Sequence, residues 1–164
     1  MYDNGVDAEE RVIVFATDDN LHRLCQAHTW HMDGNFAMAP QLFSQLYVIL
    51  AKRDELTLPV AYALLQRKSQ LTYETLLTAI VDRCTTLGIV ADPERIVLDF
   101  EMSAMSAVTA VFGNGVSIHG CFFHLCQSTF RKVQELGLVN NYNTDAAFSM
   151  LYSQCSYLII HITF

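Results

Sequence analysis

Basic residues are scarce in this chain. Ten Lys and Arg stand against seventeen Asp and Glu, giving a formal net charge of −7. A free-standing nucleic-acid binder presents a basic face, which argues against that class. A catalytic core whose DNA contacts come from other domains stays open. Charge of either sign is sparse, at 16% against 52% hydrophobic residues, the reverse of the balance found in disordered chains. No apolar run reaches the roughly 18 residues of a membrane span. The final stretch, 156–164, is apolar but too short, and His161 and Thr163 interrupt it. The start, Met1-Tyr2-Asp3-Asn4-Gly5, is polar and acidic and lacks a secretory pattern. The five cysteines (Cys25, Cys84, Cys121, Cys126 and Cys155) are an odd number. They are accordingly expected to be reduced, intracellular thiols. There is no phosphate-binding Gly loop, nucleophile elbow or Cys-His-Asn set, hence no pointer to a nucleotide cofactor, and no internal repeat or low-complexity tract.

What is present is a series of short apolar runs, two of which carry a carboxylate. At 164 residues the chain suits one domain. Residues 1–10 are acidic and expected to be frayed. Arg11 to Ala16 reads as a strand or a helix lead-in. Thr17 or Asp18 caps a helix to about Ala27, with Asp18 and Asp19 favouring its N-terminal dipole. Capping accounts for these two acids without a metal. Three strands follow, Thr29 to Met38, Gln45 to Lys52 and Thr57 to Leu65, the last two joined as an antiparallel hairpin. Pro59 suits an edge position. Thr72 is the expected cap of the best helix. Its stripe is Tyr73, Leu76, Leu77, Ile80, Val81, Cys84 and Leu87, and Gly88 ends it. Cys84 on that stripe reads as buried core. Arg95 to Phe100 is a continuous apolar strand, the mark of a parallel crossover. Ser103 to Phe112 is a helix, Val116 to Phe122 a strand and His124 to Leu136 a helix. The order is β-β-β-α-β-α-β-α.

The stretch Trp30-His31-Met32-Asp33-Gly34-Asn35-Phe36 sets one carboxylate in an apolar, strand-like run. A buried carboxylate is costly unless paired or metal-bound, which leaves Asp33 a structural oddity or a ligand. Arg95-Ile96-Val97-Leu98-Asp99-Phe100-Glu101 repeats the pattern. A surface Asp at each strand end is the plainer alternative. Glu101 lies two residues beyond Asp99, so it shares its face on extended backbone; it is a second-shell candidate or a helix-start acid. Cys121-x-x-His124, flanked by His119 and Cys126, is half of a zinc site, or simply packing at a strand-to-helix junction. Arg67-Lys68 and Arg131-Lys132 are sparse phosphate contacts at best and read as solvated surface. Trp30 reads as core.

Several motifs, in order, resemble the catalytic domain of Mutator-like element (MULE) transposases. They are Asp33-Gly34-Asn35-Phe36, Ala39-Pro40, Leu42-Phe43, Gln45-Leu46-Tyr47, Pro59-Val60, Tyr62-Ala63-Leu64-Leu65, Asp99-Phe100-Glu101 and Gly120-Cys121-Phe122-Phe123-His124-Leu125-Cys126-Gln127. Phe15-Ala16-Thr17-Asp18 with Asn20-Leu21 fits upstream, and the likeness covers about Val12 to Tyr142. The family pattern has Thr where this chain has Asn35. The resemblance implies a ribonuclease H-like fold: a mixed five-stranded sheet with helices on both faces, in which the first and fourth core strands are neighbours. It implies DDE-type DNA cleavage and strand transfer at two Mg²⁺ or Mn²⁺ ions, with Asp33 and Asp99 as the first two acids and metal ligands. The family also carries a Cys-x-x-His element, so Zn²⁺ at Cys121 and His124 is a further candidate. It implies DNA ends as partner, a nuclear location, and no membrane; a homo-oligomer is an open expectation.

The family's third acid lies downstream of the Cys-x-x-His element. Glu135 and Asp145 are the acids available there, and neither matches well. The expected layout is an acidic tail over 1–11, an incomplete, C-terminally truncated core over 12–145 and an atypical apolar tail over 146–164. Two functions fit: a transposase core lacking its third acid, and a catalytically silent, decayed or domesticated interaction domain.

Overall fold

The computed structural model describes residues 1–160. The end of the apolar stretch, 161–164, lies outside the described residues. Seven strands form one mixed sheet. They are β1 (Tyr2–Asp3), β2 (Val12–Ala16), β3 (Thr29–Asn35), β4 (Gln45–Arg53), β5 (Leu56–Leu65), β6 (Arg95–Leu98) and β7 (Ser117–Gly120). Their spatial order is β1-β2-β5-β4-β3-β6-β7. The helices are α1 (Asp18–Cys25), α2 (Gln70–Thr86), α3 (Met102–Phe112), α4 (Phe122–Glu135), α5 (Val139–Thr144) and α6 (Ala146–Ile160). A 3₁₀ turn, Gly113–Gly115, follows α3.

The expected five-stranded sheet is corrected to seven. The five expected core strands are all there, and β2 and β1 extend the β5 edge. The segment expected to fray is pinned instead. Tyr2 and Asp3 pair with Val14 and Ile13. The Arg11 guanidinium binds Asp3 at 2.7 Å, and the Asn4 side chain bonds Glu10 and Val12 backbone. Side-chain partners of this kind act between segments distant in the periodic pattern, which periodicity does not register.

Period-two alternation divides the sheet. Trp30 and Met32 of β3, Tyr47, Ile49 and Ala51 of β4, Ala61, Ala63 and Leu65 of β5 and Ile96 and Leu98 of β6 are buried. Their faces meet α1, α2 and α3. Trp30 is fully buried, its indole N–H donates to Leu24 O at 3.0 Å, and Phe112 of α3 meets it edge-on at 5.5 Å. Cys84 lies in the same core, with burial pushing its thiol up to about 12. The thiol and that of Cys25 are 3.4 Å apart and both are free. On the opposite face, His31 is half-buried and Asp33 exposed. Helix α4 starts on that side, because His124 reaches Asp33.

Local details follow residue chemistry. Thr17 caps α1 by accepting from the Asn20 amide, while Asp18 pairs with Arg83 of α2 at 2.8 Å. The cap of α2 is Ser69, three residues before the expected Thr72. Ser69 Oγ accepts from the Thr72 amide at 3.1 Å, and both hydroxyls donate to Glu10. Gly88 adopts φ +71°, the left-handed geometry that closes a helix C-terminus. Strand β3 stops at Asn35 because the Asn35 side chain accepts from the Met38 amide at 3.1 Å, a local turn that competes with the ladder. Pro59 sits beside a bulge, where Ile49 pairs with Ala61 and Leu50 with Pro59. Strand β2 pairs only with Ala61 to Leu65, so Pro59 keeps the edge position expected of it. Strand β7 ends at Gly120 and α4 begins at Phe122, two residues before the expected start. No helix among the described residues is long and apolar enough to cross a membrane.

Trp30→Ala removes the largest buried side chain and its hydrogen bond. We expect a loss of about 3–5 kcal/mol in urea unfolding. Glu10 carries a second expectation. The Ser69 and Thr72 hydroxyls lower its pKa from 4.5. A lowered folded value contributes stability above pH 4.5 that is lost as pH falls through the folded pKa. Glu10→Gln should lower the melting temperature at pH 7 and flatten its fall on acidification, read by thermal melts from pH 7 to pH 2.

Candidate functional site

The parallel pairing of β3 and β6 builds the site. Thr29, Trp30 and His31 pair with Arg95, Ile96 and Val97. Carried forward, that register sets Asp33 level with Asp99, just past the end of β6. Strand β7 continues the row, with Leu98 opposite Gly120, so Cys121 follows beside Asp99. Both acids therefore lie at the C-terminal ends of neighbouring parallel strands, where ligands collect in open α/β sheets.

Asp33 is not buried as its run suggests: its side chain is 57% exposed. Alternation sends Trp30 and Met32 into the core and turns Asp33 outward, so no desolvation argument applies to it. Asp99 is half-buried. Burial raises its pKa from 3.8, and the Glu101 charge raises it further. The Glu101 amide, His124 and Lys68 pull the other way. His124 faces Asp33. Its Nε2 lies 3.5 Å from Asp33 Oδ1. One helical turn from Cys121, it projects from the start of α4 over the strand ends.

Glu101 precedes α3 at the N-cap position but makes no side-chain cap bond. Its carboxylate is drawn elsewhere. Lys68 Nζ binds Oε2 at 2.8 Å and the Tyr73 hydroxyl donates to Oε1 at 2.9 Å. The fully buried Gln45 donates in turn to Tyr73 at 2.7 Å. Lys68 also lies 4.5 Å from the centre of the Phe36 ring. Glu101 is thus a built part of the site. Lys68 is exposed, as its reading as surface has it, and in addition is held by Glu101 and Phe36. Tyr47 completes the floor. It is buried, its ring lies 5.2 Å from that of Tyr73, and burial pushes its phenol well up.

Two glycines keep this floor closed. A Cβ on Gly34 would collide with the Gln45 side-chain carbonyl, and one on Gly120 with the Phe100 ring. Close approach explains Gly34 directly after the acid.

The other candidates part company. Glu135 pairs with Lys132 at 2.8 Å on the exposed face of α4, a solvated helix charge. Asp145 caps α6, accepting from Ala147 N at 2.9 Å and Phe148 N at 3.2 Å. Neither is at the site. Cys121 takes the N-cap position of α4, and His119 pairs with Ser117 Oγ at 2.8 Å. Among the described residues, no three His, Cys, Asp or Glu side chains group as a metal cage. The acid pair still fits a hard cation in kind: Mg²⁺ is commonly held by one or two carboxylates plus substrate oxygens. The Gln45, Tyr47, Tyr73 and Lys68 contributions went unread in the sequence. Gln45 and Tyr47 alternate on the buried face of β4 and lie in the Gln45-Leu46-Tyr47 motif, the signals that could have raised them.

Fold and site together define a mixed α/β domain with a carboxylate pair at the ends of adjacent parallel strands. A family model described as MULE transposase domain matches residues 29–128, more than half of the 164-residue chain. The chain belongs to that family, and its role is transposase-related. No curated protein matches the chain. The matched span runs from the first residue of β3 into α4, and so contains Asp33, Lys68, Asp99, Glu101, Cys121 and His124.

Asp99→Asn tests the electrostatics of the pair without metal. A raised folded pKa means the ionised form is disfavoured in the fold, so its destabilisation grows as pH rises above 3.8 and is absent below. In chelator-treated buffer the variant should melt higher than the parent at pH 7, and the gap should close as pH falls below 3.8.

Proposed function

We propose that this chain carries the acid pair of a ribonuclease H-like, DDE-type transposase core acting on DNA phosphodiesters. The observation that supports the reading is the parallel pairing of β3 and β6, the strands that carry or lead into the two acids, within a MULE transposase match. The strand order β5-β4-β3-β6-β7 within the larger sheet agrees with the expected neighbouring of the first and fourth core strands.

In this reading Asp33 and Asp99 hold Mg²⁺ or Mn²⁺. Bound there, such an ion would supply Lewis-acid chemistry toward a phosphodiester. The residues around the pair do the remaining work. Lys68, held by Glu101, offers the ammonium nearest the acids and offsets their charge. His124 presents Nε2 toward Asp33 and limits how that carboxylate turns. The buried Gln45–Tyr73–Glu101 series keeps Glu101 fixed, which keeps Lys68 in place. Recognition of particular DNA ends and action in the nucleus belong to the same proposal.

A second reading is favoured by a specific observation. Glu101, the third carboxylate near the site, is engaged by Lys68 and Tyr73, and Glu135 and Asp145 are spent elsewhere. With a net charge of −7, that arrangement also suits a catalytically silent transposase-derived interaction domain. We propose accordingly that the chain alone binds the cation without robust strand transfer.

Calorimetry with Mn²⁺ is the test. The parent should bind, and Asp33→Ala should weaken binding at least about tenfold. A parent that binds nothing would leave only the interaction reading. Robust strand transfer by this chain with Mg²⁺ or Mn²⁺ would refute the catalytically silent reading.

A further inference from the structure

Two cysteines remote from each other in the chain meet in the core, on the far side of the sheet from Asp33. Cys25 is the last residue of α1, and Cys84 lies in the last turn of α2. They are 59 positions apart, yet their Sγ atoms approach to 3.4 Å. The surroundings hold this contact. Asp18, at the start of α1, binds Arg83, the residue before Cys84, at 2.8 Å. Leu24, beside Cys25, is fully buried, and its carbonyl accepts the Trp30 indole N–H. Cys84 is fully buried, and its carbonyl accepts from Leu87 and Ile89 where α2 ends. A disulfide needs two side chains directed at one another, and the packing of α1 on α2 supplies that.

The two sulfurs differ in access. Cys84 is sealed in the core, whereas Cys25 is only partly buried. Burial raises both thiols. The contact adds to the rise at Cys84, pushed up to about 12, and opposes it at Cys25. The thiolate is the attacking form. Cys25 is therefore the sulfur that can meet a reagent, and Cys84 the one that can only answer it from within.

We propose that Cys25 and Cys84 form an oxidative modification site, at which a small disulfide such as oxidised glutathione converts the pair to an α1–α2 disulfide. The Cys25 thiolate attacks one sulfur of the reagent and expels a glutathione thiolate, leaving a mixed disulfide on Cys25. Cys84 then gives up its proton, attacks Cys25 Sγ and expels the second glutathione thiolate. The two protein thiols lose two electrons, the reagent's sulfur–sulfur bond gains them, and the two protons pass to the released thiols. The ring so closed runs from the end of α1 through β3, β4 and β5 to α2, and takes in both Asp33 and Lys68. A cross-link over so long a loop stabilises chiefly by restricting the unfolded chain. The pair is compatible with thiols that are reduced at rest, because disulfides in reducing compartments are usually transient and redox-sensing. Two thiols that merely fill space predict otherwise, since packing needs neither sulfur to react.

The experiment incubates the folded full chain with oxidised glutathione at mildly alkaline pH, then alkylates, digests and weighs the peptides, with thermal melts before and after. The peptides of Cys25 and Cys84 should appear joined, two hydrogens lighter than their sum. The melting temperature should rise by about 5–10 °C and fall back on adding dithiothreitol. Cys84→Ala should stop at the mixed disulfide, with one glutathione on Cys25. Cys25→Ala should leave Cys84 unmodified while the exposed Cys155 still reacts. The proposal is overturned if Cys155 of the parent takes up glutathione while Cys25 and Cys84 stay separate. Joined peptides that form only in denaturant overturn it too, as does a joined chain that melts no higher than the reduced one. The peptide map and melts of the parent decide the matter even where an alanine variant fails to fold.

Discussion

Three residue pairs of parallel ladder, Thr29, Trp30 and His31 against Arg95, Ile96 and Val97, carry the arrangement on which the site depends. Strand β3 pairs antiparallel with β4 on its other side, so β3 is where the sheet changes from antiparallel to parallel. The ladder is locked from within. Trp30 and Ile96 are fully buried, and a one-residue slip would bring Thr29 or His31 into the core. Because the side-chain period is two, the register that buries Trp30 and Met32 necessarily turns Asp33 to the other face. The placement of the first acid is a consequence of core packing three residues away.

The second acid is placed by the same constraint with a different electrostatic outcome. Asp33 keeps most of its solvent, whereas Asp99 is half-buried next to Glu101 and its carboxyl is harder to ionise. Three further elements reach the neighbouring acids: Lys68 before α2 and Tyr73 on α2 bind Glu101, and His124 on α4 lies beside Asp33. None of these is close in sequence to Asp99.

Much of the architecture was legible. The 3.6-residue stripe of α2, the apolar run of β6 and the turn residues between β4 and β5 marked those elements directly, because each pattern is local. The likeness to MULE transposases singled out Asp33 and Asp99, and the pairing of β3 with β6 agrees with it. What escaped was set by partners remote along the chain. Tyr2 and Asp3 are a strand only because β2 offers them an edge. Ser69 outcompeted Thr72 as cap because Glu10, some sixty residues away, ties both hydroxyls. Glu101, read as a second-shell candidate or a helix-start acid, does sit at the start of α3, but its Lys68 and Tyr73 partners were not legible.

By itself the amino-acid sequence determined the elements, the burial of Trp30 and Cys84, and the presence of acids at two strand ends, since propensity and periodicity act over neighbouring residues. Tertiary structure alone decided that Asp33 is exposed, that Lys68 pairs with Glu101 and that Tyr73 joins Gln45 to Glu101. Those properties depend on which side chains meet after the sheet has closed, and no spacing along the chain encodes a charge brought in from another strand or helix.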